Sequence, residues 1–316
     1  MSNIALFVGV DRYSSSPLVG CEKDAQRLME ILARNQDHSP NFECRPLLSS
    51  SAQITRSMLR QAIEELFSRQ ADAALLYFAG HGTVNNLGGY LVTPDARKYD
   101  EGVSMNDILQ LANRSPARER IVVLDCCHSG ALGQLPAISN EAAVLHEGVS
   151  ILSASRDSEK AAEGNGGGVF TSLICDALDG GAADICGRVT IAGIYAYVDQ
   201  ALGGWEQRPL LKSHVTKLLP LRICRAAVDA AVLRLLPKYF ASPQYELPLD
   251  PSYEPDAEPH HAEHEEAFGN LQKLRAARLV VPVAEEHMYY AAMNSKSCRL
   301  TALGAYYWRL ANSGKL

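Results

Sequence analysis

Two apolar runs in this chain stop abruptly at groups that can do chemistry. Ile121-Val-Val-Leu124 ends in Asp125-Cys126-Cys127-His128-Ser129-Gly130, and Ala73-Ala-Leu-Leu-Tyr-Phe-Ala79 ends in Gly80-His81-Gly82. Short uninterrupted apolar runs read as buried parallel strands. Reacting groups in open α/β sheets gather beyond the carboxyl ends of such strands. A cysteine acts as a nucleophile through its thiolate, so it needs a base to take or balance its proton. Neighbouring strand ends would bring the His81 imidazole to the Cys127 thiol. Alternation along a strand sends Cys126 to the side opposite Cys127, which suits Cys126 to a buried structural place. Asp125, two residues before Cys127, shares its side. His128, the immediate neighbour, projects away and leaves His81 as the base.

The elements that must position these groups alternate strand and helix. Asn3 to Val10 reads as a buried strand and Asp11 to Pro17 as a loop at its end. Cys21 to Arg34 reads as a helix with Ala25, Leu28, Met29 and Leu32 on one face. A strand over Cys44 to Leu48 follows, then a helix over Ser51 to Ser68 with Ile54, Met58, Leu59, Ile63 and Leu66 inward. Gly89 to Pro94 suggests a small hairpin. Ser104 opens a helix whose capping Asp107 can complete. After the cysteine strand come a strand over Val149 to Ser153, a helix over Phe170 to Leu178 closed by Gly180-Gly181, a Thr190-capped helix to about Leu202 and a strand over His214 to Leu219. This order predicts a doubly wound, mostly parallel sheet with helices on both faces.

These stretches resemble the caspase-like cysteine peptidases, and among them the metacaspases and bacterial orthocaspases. The resemblance rests on Tyr77-Phe-Ala-Gly-His81-Gly and Leu124-Asp-Cys-Cys127-His-Ser-Gly130. It extends to Val8-Gly-Val-Asp-Arg-Tyr13, Leu18-Val-Gly-Cys21-Glu-Lys-Asp24-Ala, Ser153-Ala-Ser-Arg156, Gly168-Val-Phe-Thr171 and Gln207-Arg-Pro209. It implies a caspase-hemoglobinase fold over residues 1–224, with a large part at 1–130 and a small part at 148–224. It implies Cys127 as nucleophile, His81 as general acid and base, and an oxyanion hole from the backbone N–H groups of Gly82 and Cys127. In metacaspases the aspartates at the places of Asp24 and Asp125 line the S1 pocket, with Cys21 beside them. Two carboxylates there favour Arg or Lys at P1 and repel acids. The alternatives are an Asp-specific protease using Arg12 and Arg156, and a caspase-like scaffold in which catalysis is dispensable. Bacterial members are tied to stress or defence.

The chain departs from the family in two places. Many metacaspases hold calcium through several aspartates. Here Asp95 and Asp107 are available, but Asn106 and Gln134 stand where further acids would be wanted. Calcium prefers six or more oxygens, so no cofactor or metal is expected. Residues 121–155 contain no Lys or Arg, so a basic-specific enzyme could not cut itself between its two parts there. The loop at 164–168, near Arg156 and Lys160, is the alternative place.

Composition bounds the remainder. The 316 residues suit a domain of about 220 plus a smaller one. Net charge is −6, which gives no signal for nucleic acid or membrane. The N-terminus leads straight into a strand and no apolar run could span a bilayer, so a cytoplasmic protein with reduced thiols is expected. Residues 225–263 read as a helix, ended by Pro237, and an extended acidic linker with five prolines between Ser242 and Glu263. Residues 264–316 read as a small α+β winged-helix-like domain, with wing strands at Val280 to Val283 and Met288 to Ala292. Its seven Lys and Arg exceed its four Glu, a faint basic footprint for nucleic acid. A regulatory protein partner fits it better. The histidines at 260, 261 and 264 read as a solvated cluster rather than a metal site.

Overall fold

The first strand, β1 (Asn3–Gly9), is apolar on both faces, and the alternation of its side chains divides the core in two. Ile4, Leu6 and Val8 lie with Leu76, Phe78, Val122 and Leu124 on one face of the sheet. Ala5 and Phe7 lie with Leu75, Tyr77, Ile121 and Val123 on the other. A strand buried on both faces needs this continuous apolar sequence.

The computed structural model describes residues 2–127, 145–154, 163–164, 167–202 and 209–316. The chain divides into two units, Met1–Ala183 with Gly187–Arg225, and Asp184–Cys186 with Ala226–Leu316. In the first, β1 leads to α1 (Cys21–Ala33), β2 (Phe42–Leu48), α2 (Arg56–Ser68), β3 (Ala73–Asn85), β4 (Gly88–Arg97), β5 (Asp100–Ser104), α3 (Met105–Arg114), β6 (Glu119–Cys127), β7 (Val149–Ser153), α4 (Val169–Asp176), α5 (Ile191–Ala201) and β8 (Leu210–His214). The sheet order is β2-β1-β3-β6-β7-β8. The first five are parallel and β8 closes the edge antiparallel. Beyond Ala79, β3 leaves the parallel ladder of β1 and pairs with β4 instead. The α/β sheet flanked by helices matches the predicted class.

α2 and α3 cover the first face through Leu59, Ile63, Leu66, Ile108, Leu109 and Ala112. α1, α4 and α5 cover the second through Ala25, Leu28, Leu32, Ile174, Ile194 and Val198. The chain runs from β1 to β2 on one side and returns to β3 on the other. The β1/β3 boundary is therefore a topological switch point, where a crevice opens at the strand ends.

Three expectations in this unit are corrected. α2 begins at Arg56, capped by Thr55, and Met58 is exposed. Ser104 caps α3 through Asn106 N–H, while Asp107 turns to Arg60 at 3.7 Å. The last strand is Leu210–His214 rather than His214 to Leu219. It is an edge strand with one neighbour, so it needs no unbroken apolar run to mark it.

The second unit contains α6 (Ala230–Leu233), α7 (Leu236–Tyr239), β9 (Glu246–Pro248), α8 (Ala262–Ala276), β10 (Val280–Val283), α9 (Met288–Met293), β11 (Ser297–Leu300) and α10 (Ala302–Asn312). Its sheet order is β9-β11-β10. The stretch read as a linker is not extended. Val228, Val232, Leu233, Leu236, Phe240, Leu249 and Tyr253 are buried in this unit's core. Pro237 lies in the first turn of α7 rather than ending a helix. Residues 288–292 form a helix, not a wing strand, because Met288, Ala291 and Ala292 fall at helical spacing and are all buried.

Candidate active site

Parallel pairing sets His81 against Cys127. β3 and β6 run in register from Ala73 and Glu119, and the last pair of Cα partners is His81 with Cys127. Adjacent strands lie about 4.8 Å apart, so the two backbones meet at the carboxyl end of the sheet. Cys126, one residue earlier, is buried on the face covered by α2 and α3, as the alternation predicted. His128 and Gln134 lie outside the described residues, as do Arg156, Lys160 and Gln207.

The loop after β1 holds the histidine. Tyr13 Oη accepts from His81 N–H at 2.9 Å and donates to the Val92 carbonyl at 3.2 Å. The Tyr13 ring tilts against the imidazole with centroids 4.5 Å apart. Burial pushes the phenol well above its ordinary value, so it remains protonated. Gly80 makes this approach possible, because a Cβ there would lie 2.6 Å from Tyr13 Oη. His81 Nε2 lies 2.7 Å from the Ser16 carbonyl. A carbonyl only accepts, so Nε2 carries the proton and Nδ1 keeps its lone pair as the basic nitrogen. Gly82 begins the ladder with β4, opposite Leu91.

The acidic residues converge as well. α1 starts over the end of β1, where Asp11 accepts from Cys21 N–H at 2.9 Å and Glu22 N–H at 3.3 Å. This leads Asp24 into the interior. Asp24 Oδ2 accepts from Gly168 N–H at 2.7 Å, and Asp125 Oδ2 accepts from the Thr171 hydroxyl at 2.6 Å. Both carboxylates crowd Gly168, whose added Cβ would stand 2.9 Å from Asp125 Oδ2 and 3.3 Å from Asp24 Oδ2. Burial raises Asp125 from 3.8 to about 6, and the Asp24 charge adds to this. Burial also raises Asp24. Cys21, half-buried beside them, is driven up by burial and by Asp11, Asp125 and Asp24, so its thiol stays neutral. Arg12 is exposed, with its backbone N–H on Ser49 Oγ.

A family model described as the caspase domain matches residues 2–220. The chain belongs to the caspase domain family. It is 24% identical over 158 residues to Metacaspase-2 of Trypanosoma brucei brucei, covering 42% of this chain and 43% of that protein. It is 26% identical over 152 residues to Metacaspase-3 of Trypanosoma cruzi, covering 42% and 41%. The match therefore spans less than half the length of these relatives. Among solved structures, protein GSU0716 of Geobacter sulfurreducens superposes with a TM-score of 0.53 at 16% identity, covering 71% of this chain and all of that one. This is a likeness of fold. The caspase family is one of cysteine peptidases, whose substrates are proteins.

Tyr13, Ser16, Tyr77 and Thr171 carried no assigned role in the sequence. Tyr13, Tyr77 and Thr171 lay inside the quoted motifs, but nothing in one sequence marks a hydroxyl as pointing at a catalytic or acidic group.

The acids read as candidate calcium ligands have other partners in this structure. Asp95 accepts from Arg56 N–H at the start of α2, and Asp107 pairs with Arg60. No cluster of three or more His, Cys, Asp or Glu able to hold a metal is present among the described residues. No helix among them is long and apolar enough to cross a membrane.

Proposed function

We propose that this caspase-family chain is a cysteine endopeptidase that cleaves after Arg or Lys. The observation that carries the reading is the register pairing of His81 with Cys127, one strand end from the paired carboxylates of Asp24 and Asp125. His81 Nδ1 takes the Cys127 thiol proton, and the thiolate attacks the scissile carbonyl carbon. The oxyanion lies toward the N–H groups of Gly82 and Cys127. The proton passes from His81 to the leaving amine, a thioester remains, and water attacks it with His81 now as base. Asp24 and Asp125, with Cys21 beside them, take the basic P1 side chain. No metal enters this scheme.

Fluorogenic peptides with Arg, Lys or Asp at P1 test it, with wild type and Cys127→Ala compared with and without calcium. Cleavage after Arg and Lys, equal in both conditions and abolished in the variant, is expected. Cleavage after Asp would overturn the pocket assignment and move the search to Arg12. Hydrolysis persisting in Cys127→Ala would overturn the nucleophile.

The second unit docks a regulatory protein in this reading. Its exposed Tyr289, Tyr290 and Tyr306, each about half exposed, support that role over a passive cap.

A further inference from the structure

Asp24 is buried and Asp125 partly buried, and carboxylates withdrawn from water tend to take up a proton and lose their attraction for a cation. What opposes this here is the first turn of α4 and one residue of β3. Thr171 is fully buried and gives its only hydroxyl proton to Asp125 Oδ2 at 2.6 Å. Its oxygen must then accept, and its partner at 2.7 Å is the hydroxyl of Tyr77, also fully buried. The chain has one direction: Tyr77 O–H to Thr171 Oγ1, Thr171 O–H to Asp125. The Tyr77 phenol is pushed well above its ordinary value by burial and by the Asp125 charge, so it always donates. Thr171 also offers its backbone N–H to Asp125, and Gly168 offers its N–H to Asp24. Helix N-termini favour negative charge. Glycine is the residue that lets this backbone approach both acids.

We propose that Thr171, backed by Tyr77, is a positioning residue that holds Asp125 charged and aimed, and so determines the preference for a basic P1 residue. This rests on the reading of Asp24 and Asp125 as the P1 pocket. The groups facing Asp125 and Asp24 among the described residues include Cys21, Asp11, Lys23, Arg27, Tyr77 and Cys175. The hydroxyl chain is the contribution that a single substitution removes without altering any of these charges.

The test uses the full chain and two peptides that differ only at P1, one with arginine and one with citrulline, its neutral isostere. kcat/KM is measured for both across about pH 5 to 8, where it reports groups of the free enzyme. The wild-type Arg-to-citrulline ratio should fall below about pH 6, as Asp125 takes up its proton. In Thr171→Val that fall should move up by about one pH unit, the worth of a hydrogen bond to a charge, so that the ratio drops about fivefold near pH 6 and about twofold near pH 7. Citrulline hydrolysis should stay unchanged, and Thr171→Ser should restore the wild-type profile. Tyr77→Phe keeps the ring in the core and should shift the profile the same way by a smaller amount, which keeps the test open if Thr171→Val folds poorly. An unchanged ratio in both variants, or equal loss for both peptides, would overturn the proposal. Asp125→Asn separates the two levels. Lost Arg preference there with an unchanged Thr171→Val profile sinks only the positioning role, while retained preference sinks the pocket itself.

Discussion

At the scale of the residue, His81 is held mainly by a loop outside its own strand. Removing the Tyr13 hydroxyl leaves His81 N–H and the Val92 carbonyl without their partner. Each such loss costs about 1–3 kcal/mol where water cannot replace it. A slightly misplaced base slows chemistry more than it weakens binding. Tyr13→Phe should therefore lower kcat roughly tenfold with little change in KM, which steady-state kinetics on a P1 Arg peptide would check. Asp125 makes a prediction about stability. Its carboxyl sits at about 6 in the folded chain against an ordinary 3.8. The native state thus binds this proton more tightly than the unfolded chain does. The contribution of this group to stability is then greatest below about pH 4 and is lost as pH rises through 6. The full displacement is worth up to about 3 kcal/mol. Asp125→Asn should raise the thermal midpoint at pH near 7.5, change it little near pH 4, and abolish the Arg preference. A variant less stable than wild type at both pH values would contradict the strain assigned to this carboxyl.

At the scale of the element, the strands that carry the site were legible because a central strand buried on both faces must be apolar throughout. β1, β3 and β6 announced themselves in this way, and chemistry begins where each apolar run stops. The edge strand β8 was misplaced because a strand with one neighbour carries no such signature. The partners of Asp24 and Asp125 were not legible at all, since Gly168 and Thr171 reach them from α4, more than forty residues along the chain from Asp125. A similar long-range tie holds the base of β6. Arg120 is buried, and its guanidinium donates to the carbonyls of Ala112, Ala117, Arg118 and Glu147 at 2.9–3.1 Å. It joins the end of α3, the turn into β6 and the approach to β7. Burial lowers its pKa, but the four carbonyls satisfy the charge. Arg120→Met fills much of the volume and supplies no donor. The Ala112 and Ala117 carbonyls belong to buried residues, and leaving them a donor short should cost about 1–3 kcal/mol, seen as a lower urea midpoint with an unchanged slope. A change below about 1 kcal/mol would mean that water replaces the guanidinium there.

At the scale of the whole molecule, proline and acid content hid structure in residues 225–263. Val228, Val232 and Leu236 stand at helical spacing, but the apolar residues beyond 242 follow neither a helical nor a strand period, and both sets enter the core of the second unit. Val228, Val232, Leu233, Leu236 and Phe240 all precede residue 242, where an extended linker was expected to begin. Burying each contributes about 1.5–3 kcal/mol. Together they supply roughly as much as the whole net stability of a small domain, about 5–15 kcal/mol. Phe240 also fixes α10, because its carbonyl accepts from Trp308 Nε1–H at 2.7 Å. A fragment of residues 242–316 should therefore lack a cooperative thermal transition, while a fragment of residues 226–316 should melt cooperatively. The 226–316 fragment loses Asp184–Cys186, whose Ile185 carbonyl accepts from Ala227 and Val228 N–H. Those donors lie at the fragment's free end, where water can replace the carbonyl. Circular dichroism against temperature decides between the two boundaries. Cooperative melting of 242–316 would restore the linker reading. Its absence means that a truncation meant to test the proposed regulatory role must be made after Arg225, because a cut at 241 leaves five core side chains exposed and would mimic loss of control through aggregation.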